Sequence, residues 1–358
     1  MTSLKNLLDD LTVEGELYEA TPDGATRCFA CGHRCLIRAG KRGICQVRFN
    51  AGGKLRVPHG YVAALQNDPI EKKPFAHVLP GASALTFGML GCDYHCDYCQ
   101  NHITSQALRD PASDISAQFV REITPQQIVE YALRVKADAV VSSYNEPLIT
   151  SEWAAAIFKA AQASGLLCAY VSNGNNTPEV MEYLRPYLDA YKIDLKCMSA
   201  KNYRKLGGTL QNTLDGIKRA RDLGLWVEVV TLVVPGFNDS NEELWDAARF
   251  LAGLSVDIPW HVTAFHKDYK MTAPNNTDAQ TLIRAAEIGR EAGLRYVYAG
   301  NLPRNVGEYE DTHCPKCNLA VVQRSGYLIR EYKITSDGKC PQCGEEIAGL
   351  WHKDAAQI

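Results

Sequence analysis

The chain has 358 residues, enough for one large domain with appendages or for two ordinary domains. Its apolar fraction of 46% and charged fraction of 22% are typical of a globular protein. A net charge of -3 gives no sign of a polyanionic partner, so we expect no binding to nucleic acid. There is no run of about 18 apolar residues, and acids interrupt the first ten residues. We therefore expect no membrane span and no signal peptide, and predict a cytoplasmic protein.

The N-terminal part of the chain begins with a predicted amphipathic helix and continues into a group of cysteines. Leucines recur at helical spacing at positions 4, 7, 8 and 11. The cysteine group that follows consists of Cys28, Cys31, Cys35 and Cys45. Four thiolates fit either a closed zinc site or a second iron–sulfur cluster, and sequence spacing does not decide between them. In a cytoplasmic protein, metal ligation is a better interpretation of such a group than disulfides.

From residue 82 onward, predicted strands and helices alternate. The six predicted strands cover residues 84–89, 139–144, 166–172, 190–195, 226–234 and 260–265, and residues 296–298 are a possible additional edge strand. Helix starts are indicated at Thr124, Thr177, Ser240 and Thr277. Six strand–helix units imply a parallel sheet with right-handed crossovers. In such α/β folds, active groups gather where the strands end and the loops begin.

Three cysteines directly follow the first of these predicted strands. Cys92, Cys96 and Cys99 form a C-x3-C-x2-C run. A structural zinc site takes four protein ligands, whereas a cubane of four irons held by three thiolates keeps one iron open for a reactant. The alternatives are a zinc site that borrows a distant fourth ligand and a reducible cluster of thiols.

The last cysteine group forms two C-P-x-C knuckles. These contain Cys314, Cys317, Cys340 and Cys343, and 22 residues separate the knuckles, close to the spacing of a zinc ribbon. Between them, residues 319–323 and 327–334 predict a hairpin that turns at residues 325–326. A module this small lacks a sufficient core of its own, so we expect a metal to hold it, with zinc favoured over iron.

The C-x3-C-x2-C run after a strand, with the aromatic Tyr98 just before its last cysteine, resembles the radical S-adenosylmethionine (SAM) superfamily. Residues 68–75, 144–147, 259–266 and 296–301 further resemble the radical SAM member of the AmmeMemoRadiSam system, a relative of pyruvate formate-lyase activating enzymes. The resemblance extends from about Cys28 to Trp351. It implies a partial (βα)6 barrel and a [4Fe-4S] cluster whose open iron binds SAM.

The resemblance also implies a reaction and partners. One electron cleaves SAM to methionine and a 5′-deoxyadenosyl radical, which abstracts hydrogen from a substrate. The electron would come from a donor such as flavodoxin or ferredoxin. Membership of the AmmeMemoRadiSam system implies functional partners of the Ammecr and Memo types.

Several residues at the ends of the predicted strands match positions that contact SAM in relatives. The resemblance implies that Tyr98 contacts the adenine and that Glu146 contacts the amino group, with Tyr144 and Asn145 standing where relatives have two glycines. The remaining matching positions are Asn173, Gly174, Asp194 and Lys196. The alternatives are a simple tight turn at the Asn-Gly pair and a surface ion pair between the Asp and the Lys.

Two histidines are candidates for substrate contact. His261 shares one face of the sixth predicted strand with Thr263, and His266 follows that strand. The alternative for His261 is a hydrogen-bonded core histidine. Residues 68–81 are interpreted either as a charged surface linker or as part of an active-site mouth or docking surface.

Together these observations predict an α/β protein with three regions. Residues 1–80 hold the four-cysteine module, residues 81–300 form the partial barrel, and residues 301–358 form the zinc-ribbon-like module. The predicted function is radical SAM chemistry on an unidentified small molecule or peptide, with SAM, a [4Fe-4S] cluster and zinc as cofactors. The N-terminal cysteines would add either a second iron–sulfur cluster or another zinc. One alternative is an activating enzyme that makes a glycyl radical in a partner protein. Another is a zinc-only scaffold that binds nucleic acid or protein.

Overall fold

The structure is a computed structural model that describes residues 3–351. The ends of the predicted first and last regions, residues 1–2 and 352–358, lie outside the described residues. No helix within residues 3–351 is long and apolar enough to cross a membrane.

The N-terminal region consists of one short helix and small antiparallel sheets. Its elements are α1 (Leu4–Asp10), β1 (Thr12–Glu14), β2 (Tyr18–Ala20), β3 (Thr26–Cys28), β4 (Leu36–Ile37), β5 (Phe49–Ala51), β6 (Lys54–Pro58), β7 (Tyr61–Val62) and β8 (Ala64–Pro69). Strands β1, β6 and β5 form one sheet and β2, β3 and β4 form another. The predicted helix is confirmed, with Leu4 and Leu8 buried. Its first turn is capped by Ser3, whose hydroxyl accepts a hydrogen bond from the Asn6 backbone N–H.

The central region alternates strands and helices as predicted. Its elements are β9 (Ser83–Gly88), α2 (His102–Ser105), β10 (Arg121–Glu122), α3 (Pro125–Arg134), β11 (Ala139–Ser142), α4 (Ser151–Gln162), β12 (Leu167–Ser172), α5 (Pro178–Leu184), β13 (Ala190–Asp194), α6 (Ala200–Leu206), α7 (Leu210–Asp222), β14 (Trp226–Val233), α8 (Asn241–Leu254), β15 (Trp260–Ala264), α9 (Ala279–Glu291) and β16 (Val297–Gly300). The C-terminal strands are β17 (Thr312–His313), β18 (Ala320–Ser325) and β19 (Leu328–Tyr332). Short 3-10 helices cover Ile70–Lys72, Pro111–Phe119, Pro147–Thr150, Arg185–Tyr187 and Gly307–Glu310.

One eight-stranded sheet organises the molecule, in the order β16-β15-β14-β13-β12-β11-β9-β8. Strands β9 and β11 to β16 are parallel, and β8 is antiparallel to β9 at one edge. Within residues 3–351 no pairing joins β8 to β16, so the sheet is open along one side. The predicted α/β fold is confirmed, and the possible strand at residues 296–298 is the edge strand β16.

The predicted helix starts agree with the structure at three of four positions. Thr124 forms a complete capping box with Gln127, and Thr177 and Ser240 are N-cap residues. The predicted start at Thr277 is wrong, because Asp278 is the N-cap residue of α9. The Thr277 hydroxyl instead donates to the Val233 carbonyl at 2.6 Å and accepts from the Phe265 backbone N–H, so it joins the ends of two strands.

One end of the sheet's interior is filled by the chain between β8 and β9. Small apolar side chains of four strands line this end, and Phe75, Val78 and Leu79 pack against them. Phe75 and Val78 are at most 1% exposed, and the neighbouring His77 is fully buried. The interpretation of residues 68–81 as a surface linker is therefore wrong. The hydrophobic effect draws this segment inward despite its charges, because the interior of the open sheet would otherwise be exposed to water.

The C-terminal module packs against this segment and against β16. The predicted hairpin is confirmed as β18 and β19. The Leu350 backbone N–H donates to the His77 carbonyl at 2.7 Å, and the Leu79 backbone N–H donates to the Leu350 carbonyl. The His77 ring lies within hydrogen-bonding distance of the Ala348 carbonyl at 2.6 Å and of the Tyr298 hydroxyl at 2.5 Å. The last described residues are thus fixed to the barrel.

A buried glycine in α7 allows close packing at the carboxyl end of β12. A Cβ added to Gly216 would lie 2.2 Å from the Gly174 carbonyl oxygen, whereas one added to exposed Gly253 in α8 would meet no atom within 4 Å. We predict that Gly216→Ala lowers the free energy of unfolding by about 1–3 kcal/mol through overpacking, measured by urea denaturation. The matched change Gly253→Ala should raise it by about 0.5–1 kcal/mol, since alanine favours helix. Equal effects of the two changes would contradict this account.

The buried His77 predicts a pH dependence of stability. Burial lowers its pKa to about 4 from an ordinary 6.5, with nearby Glu228 acting in the opposite direction and Arg324 and His261 in the same one. Between pH 6.5 and 4 the unfolded chain binds more protons at this residue than the folded chain does. The contribution of His77 to the free energy of unfolding therefore decreases as the pH falls, by roughly 1 kcal/mol per pH unit. Urea unfolding of His77→Gln should show a shallower decline than wild type from pH 6.5 to 5. Parallel curves would refute the assignment.

Candidate functional site

The three central cysteines lie in the loop that follows β9, at the carboxyl edge of the sheet. Gly91 begins this loop with φ 97°, a conformation that favours glycine. Cys96 is buried, and Cys92 and Cys99 are half-buried. Aromatic and aliphatic side chains surround them, namely Tyr94, Tyr98, Tyr203, Leu206, Val234 and Phe265. The loop therefore gathers three thiols in a largely apolar environment.

The buried thiols of this loop need a positively charged metal centre in order to ionise. Burial raises the pKa of Cys92 and Cys99, and raises that of Cys96 to about 12. Lys196 acts in the opposite direction on Cys96 and Cys99 but does not overcome the burial. Thiolates here thus need the charge of a bound metal centre. Among the described residues, only the C-terminal cysteines form a group of three or more ligand atoms within 4.8 Å of one another, so the central sulfurs are too far apart for a single ion.

A buried carboxylate ties the loop of the three cysteines to the turn after β12. Asp93 is fully buried and accepts hydrogen bonds from the Asn173 side-chain amide at 2.7 Å and from the Asn175 amide at 2.8 Å. Sequence reasoning identified Asn173 but missed Asp93 and Asn175. The only signal for Asp93 was its place beside Cys92, where an acid could equally well have faced solvent.

Glu146 lies beneath the same loop and is 2% exposed. Its carboxylate accepts hydrogen bonds from the Ser172 hydroxyl at 2.7 Å, the Asn173 backbone N–H at 2.8 Å and the Leu148 backbone N–H at 3.1 Å. Burial and then the charge of Asp93 raise the pKa of Glu146 to about 8, although these donors act in the opposite direction. The structure brings Glu146, Asn173 and Gly174 together. Their contact with SAM stays a prediction.

The backbone before Glu146 keeps a left-handed conformation without a glycine. Tyr144 has φ 69°, at a position where the resemblance expects glycine. A non-glycine residue in this region is strained and persists only where its surroundings fix it. The Tyr144 carbonyl accepts from the Thr104 hydroxyl at 2.7 Å, and its phenol oxygen lies 2.9 Å from the Lys73 ammonium. On the other side, Gly88 leaves room for the bend, because a Cβ there would be 2.5 Å from the Ser143 carbonyl.

Asp194 and Lys196 form a half-buried ion pair at the end of β13. The Lys196 ammonium lies 3.2 Å from the Asp194 carboxylate, which also pairs with buried Lys192. Burial opposes the ionisation of Asp194, yet the two lysines more than offset it and lower its pKa to about 2. The side chains of Asp194 and Lys196 are 30% and 16% exposed, so the alternative of a surface ion pair stays open. Lys196 is also an electrostatic neighbour of Cys96 and Cys99.

Tyr98 lies in the wall above this ion pair. It is 5% exposed, and its ring packs edge-on against Phe237 with ring centroids 5.8 Å apart. Phe237 belongs to the turn after β14, which Asn238 holds by donating to the Lys196 carbonyl at 2.7 Å. Contact of Tyr98 with the SAM adenine stays a prediction.

A cavity of about 460 Å³ opens beside the loop, along the open side of the sheet. Its lining comes from β15 and β16, from the buried segment at residues 71–76, from the C-terminal module and from Gln100, which follows Cys99. Both predicted substrate histidines line it. The Gln100 and His266 side chains approach to 2.8 Å, so the cavity reaches the loop that carries the three cysteines.

His261 combines the two alternatives that the sequence left open. It is 6% exposed and lies 2.6 Å from the Glu228 carboxylate, as expected of a hydrogen-bonded core histidine, yet it also lines the cavity. Glu228 is fully buried and accepts further hydrogen bonds from the Ala76 and His77 backbone N–H groups, each at 2.9 Å. Burial opposes its ionisation, but His261, together with His77 and the Ala76 backbone N–H, outweighs burial and lowers the pKa of Glu228. Sequence reasoning missed Glu228 because an acid in the middle of a strand gave no motif.

The four N-terminal cysteines lie together behind the central loop. Cys28, Cys31 and Cys45 are buried and Cys35 is half-buried. Burial is the main cause that raises the pKa of Cys31, followed by Asp93, Cys28 and Cys45 as negative neighbours. Asp93 acts in the same way on Cys92, so this carboxylate lies between the two cysteine groups.

The four C-terminal cysteines have the geometry of a single-ion site. All their sulfurs lie within 4.8 Å of one another, with 3.5 Å between Cys314 and Cys343 and 3.6 Å between Cys317 and Cys340. A tetrahedral zinc with Zn–S bonds of about 2.3 Å places its sulfurs about 3.8 Å apart. These cysteines could therefore bind zinc.

Comparison with known proteins shows which proteins the chain is similar to. Residues 87–251 match the model of the radical SAM superfamily. The chain is 36% identical to an uncharacterised protein of Methanocaldococcus jannaschii over 93% of this chain and 98% of that one. It is 25% identical to pyruvate formate-lyase-activating enzyme of Staphylococcus aureus over 52% of this chain and 78% of that one. A radical SAM methyltransferase from Sphaerobacter thermophilus aligns over 81% of this chain and 78% of that one, with a TM-score of 0.49 and 12% identity.

The chain belongs to the radical SAM superfamily. It is therefore an enzyme with relatives among activating enzymes. Membership decides against the zinc-only scaffold. It also implies a [4Fe-4S] cluster and SAM as cofactors, and the chemistry of the three central thiols fits such a cluster.

The C-terminal geometry predicts the effect of losing one ligand. We expect Cys317→Ala to remove about one equivalent of zinc per chain, and to lower the midpoint of thermal unfolding because the module depends on its metal. Metal analysis and calorimetry on the full chain measure both. The change Cys168→Ala, at a fully buried cysteine outside the three groups, should retain the zinc. Unchanged zinc in Cys317→Ala would rule out this site.

Proposed function

We propose that the chain cleaves SAM reductively at a [4Fe-4S] cluster held by Cys92, Cys96 and Cys99, and uses the resulting radical on a small-molecule or peptide substrate. When bound, the cluster and SAM supply one-electron cleavage to methionine and a 5′-deoxyadenosyl radical that removes a hydrogen atom. The observation that carries this proposal is the cavity that begins at Gln100, next to Cys99, and runs between the barrel and the C-terminal module.

The residues around the central thiols provide binding and shielding. We assign the holding of SAM to Tyr98, Glu146, Asn173, Gly174, Asp194 and Lys196. The lysine contributes a fixed positive charge near Cys96 and Cys99, and its partner Asp194 is ionised at neutral pH because its pKa is about 2. The buried aromatic rings of Tyr94, Tyr203 and Phe265 exclude water, as a radical intermediate requires.

His261 lines the cavity and is the group best placed to orient a polar substrate, with the fully buried Glu228 behind it. The carboxylate fixes the imidazole, since it accepts at 2.6 Å from one ring nitrogen and is itself held by two backbone N–H groups. His266 is exposed at the mouth beside Gln100. A cavity of about 460 Å³ suits a small ligand, because binding sites of this kind enclose about 300–1,000 Å³.

The alternative, an activating role on a partner protein, draws support from the similarity to activating enzymes. We favour the small molecule or peptide because the C-terminal module contributes Arg324, Gly326 and Tyr327 to the wall of the cavity. Action together with Ammecr-type and Memo-type proteins is a further proposal that rests on the sequence motifs. A cytoplasmic location is proposed because eleven of the thirteen cysteines fall into three groups that suit metal ligation better than disulfides.

The proposal predicts SAM cleavage by the reduced protein. Anaerobically reconstituted chain, incubated with dithionite and SAM, should yield 5′-deoxyadenosine and methionine, measured by mass spectrometry. The triple change Cys92→Ala, Cys96→Ala and Cys99→Ala should abolish both products, whereas Cys168→Ala should leave them unchanged. Iron-replete protein that makes no 5′-deoxyadenosine, with or without added cell extract, would overturn the proposal.

The same assay separates the two substrate classes. The small-molecule ultrafiltrate of an extract of the source cells should increase 5′-deoxyadenosine formation more than the retained protein fraction does. The opposite result, together with a glycyl-radical signal in electron paramagnetic resonance (EPR), would favour the activating role.

A further inference from the structure

We propose that Cys28, Cys31, Cys35 and Cys45 hold a second iron–sulfur cluster that passes electrons from a docked acidic carrier protein to the centre at Cys92, Cys96 and Cys99. This inference rests on the proposed function, because only reductive SAM cleavage requires an electron. Three observations carry it: the spacing of the sulfurs, the contacts between the two cysteine groups, and the surface around Cys35.

The spacing of the sulfurs separates a cluster from zinc. The C-terminal cysteines gather within 4.8 Å of one another, as a single ion requires, whereas no three of the four N-terminal sulfurs do so. Zinc draws all four sulfurs to one atom, but a cluster carries each thiolate on a different iron and holds the sulfurs further apart. The C-terminal group therefore has the close sulfur spacing of a zinc site, and the N-terminal group has the wider sulfur spacing that a cluster requires.

Four thiolates also close the N-terminal site. Each iron of a cubane would have its own cysteine, so no iron is free to bind SAM or substrate. Buried Arg48 stands beside this site, with its guanidinium 3.3 Å from the Cys28 sulfur and paired with buried Glu152. Such a hydrogen bond from a fixed cation stabilises negative charge on the thiolate. A closed, charge-stabilised cluster is suited to electron transfer.

The N-terminal cysteine group and the loop of the three central cysteines are in direct contact. A Cβ added to Gly91, the residue before Cys92, would lie 3.2 Å from the Cys45 carbonyl oxygen. The residue after Cys92 accepts from Asn175, whose carbonyl in turn accepts from the backbone N–H of Gly32 at 2.8 Å. Gly32 directly follows Cys31, so a short path of covalent and hydrogen bonds joins the groups.

The other side of the N-terminal group reaches the surface. Cys35 is its least buried member, and the chain around it exposes Leu36 by 51% and Ile44 by 39%. Arg38 and Lys41 are exposed beside them and, within residues 3–351, form no ion pair. Five of the eight Lys and Arg residues between residues 24 and 67 pair with acids from other segments, so Arg38 and Lys41 supply the free charge beside Cys35. An apolar patch with free positive charges fits a carrier protein with an acidic surface.

The redox step is balanced without an additional reactant. A reduced low-potential carrier, such as flavodoxin, loses one electron at the surface formed by Leu36, Arg38, Lys41 and Ile44. The same electron leaves the N-terminal cluster for the central one, where it is consumed in breaking one carbon–sulfur bond of SAM. The N-terminal cluster returns to its oxidised state.

Metal analysis of the full-length, anaerobically reconstituted chain tests the first part. We expect about eight irons and about one zinc per chain, with about four irons retained in the Cys92→Ala, Cys96→Ala and Cys99→Ala variant. EPR of the fully reduced wild type should show two clusters broadened by mutual spin coupling, a readout that does not depend on any variant. About four irons with two zincs, or two clusters without coupling, would overturn the inference.

Charge reversal tests the surface. With photoreduced flavodoxin as donor, Arg38→Glu with Lys41→Glu should slow 5′-deoxyadenosine formation by about tenfold and leave the dithionite-supported rate unchanged. The matched control is Arg134→Glu with Lys136→Glu, exposed residues at the end of α3, which should change neither rate. Equal loss in both pairs, or no loss in the first, would refute the docking surface. Failure with dithionite in wild type would instead refute the proposed function.

Discussion

The buried carboxylate of Asp93 is the interaction on which the site depends. It lies next to Cys92, accepts hydrogen bonds from Asn173 and Asn175, and thereby joins the loop after β9 to the turn after β12. A fully buried carboxylate is costly unless it is hydrogen-bonded, so its two donors are held in fixed positions. Through the Asn175 carbonyl, which accepts from Gly32, the same arrangement also fixes the N-terminal cysteines.

The open side of the sheet explains where the other parts of the chain lie. A closed barrel would need neither the buried segment at residues 70–79 nor the C-terminal module beside β16. Here Phe75 and Val78 fill one end of the interior, while His77 joins the segment to Tyr298 and to the Ala348 carbonyl. The cavity lies along this open side, between side chains of β15 and β16 and the C-terminal module. The segment at residues 70–79 and the C-terminal module thus contribute residues to the site and also cover it.

Three cysteine groups in one chain are distinguished by their surroundings. The C-terminal sulfurs approach closely, and hydrogen bonds from the backbone N–H groups of Cys343 and Gln342 outweigh burial and lower the pKa of Cys340 to about 7. The central thiols are surrounded by aromatic rings and by the Lys196 charge. The N-terminal thiols stand beside Arg48 and a positively charged surface. Similar ligands therefore serve different purposes because the fold gives each group a different spacing and charge.

The sequence by itself determined the alternation of strands and helices, the three cysteine groups and the superfamily, because these depend on local periodicity and ligand spacing. Its predicted strands differ from the structure by at most two residues at either end. Only the tertiary structure decided which polar residues face inward. Asp93, Glu228 and Asn238 acquire their roles from partners far along the chain, and Tyr144 is held in a left-handed conformation by Thr104 and Lys73. Such contacts leave no local pattern, because burial and hydrogen bonding between distant segments are properties of the folded chain.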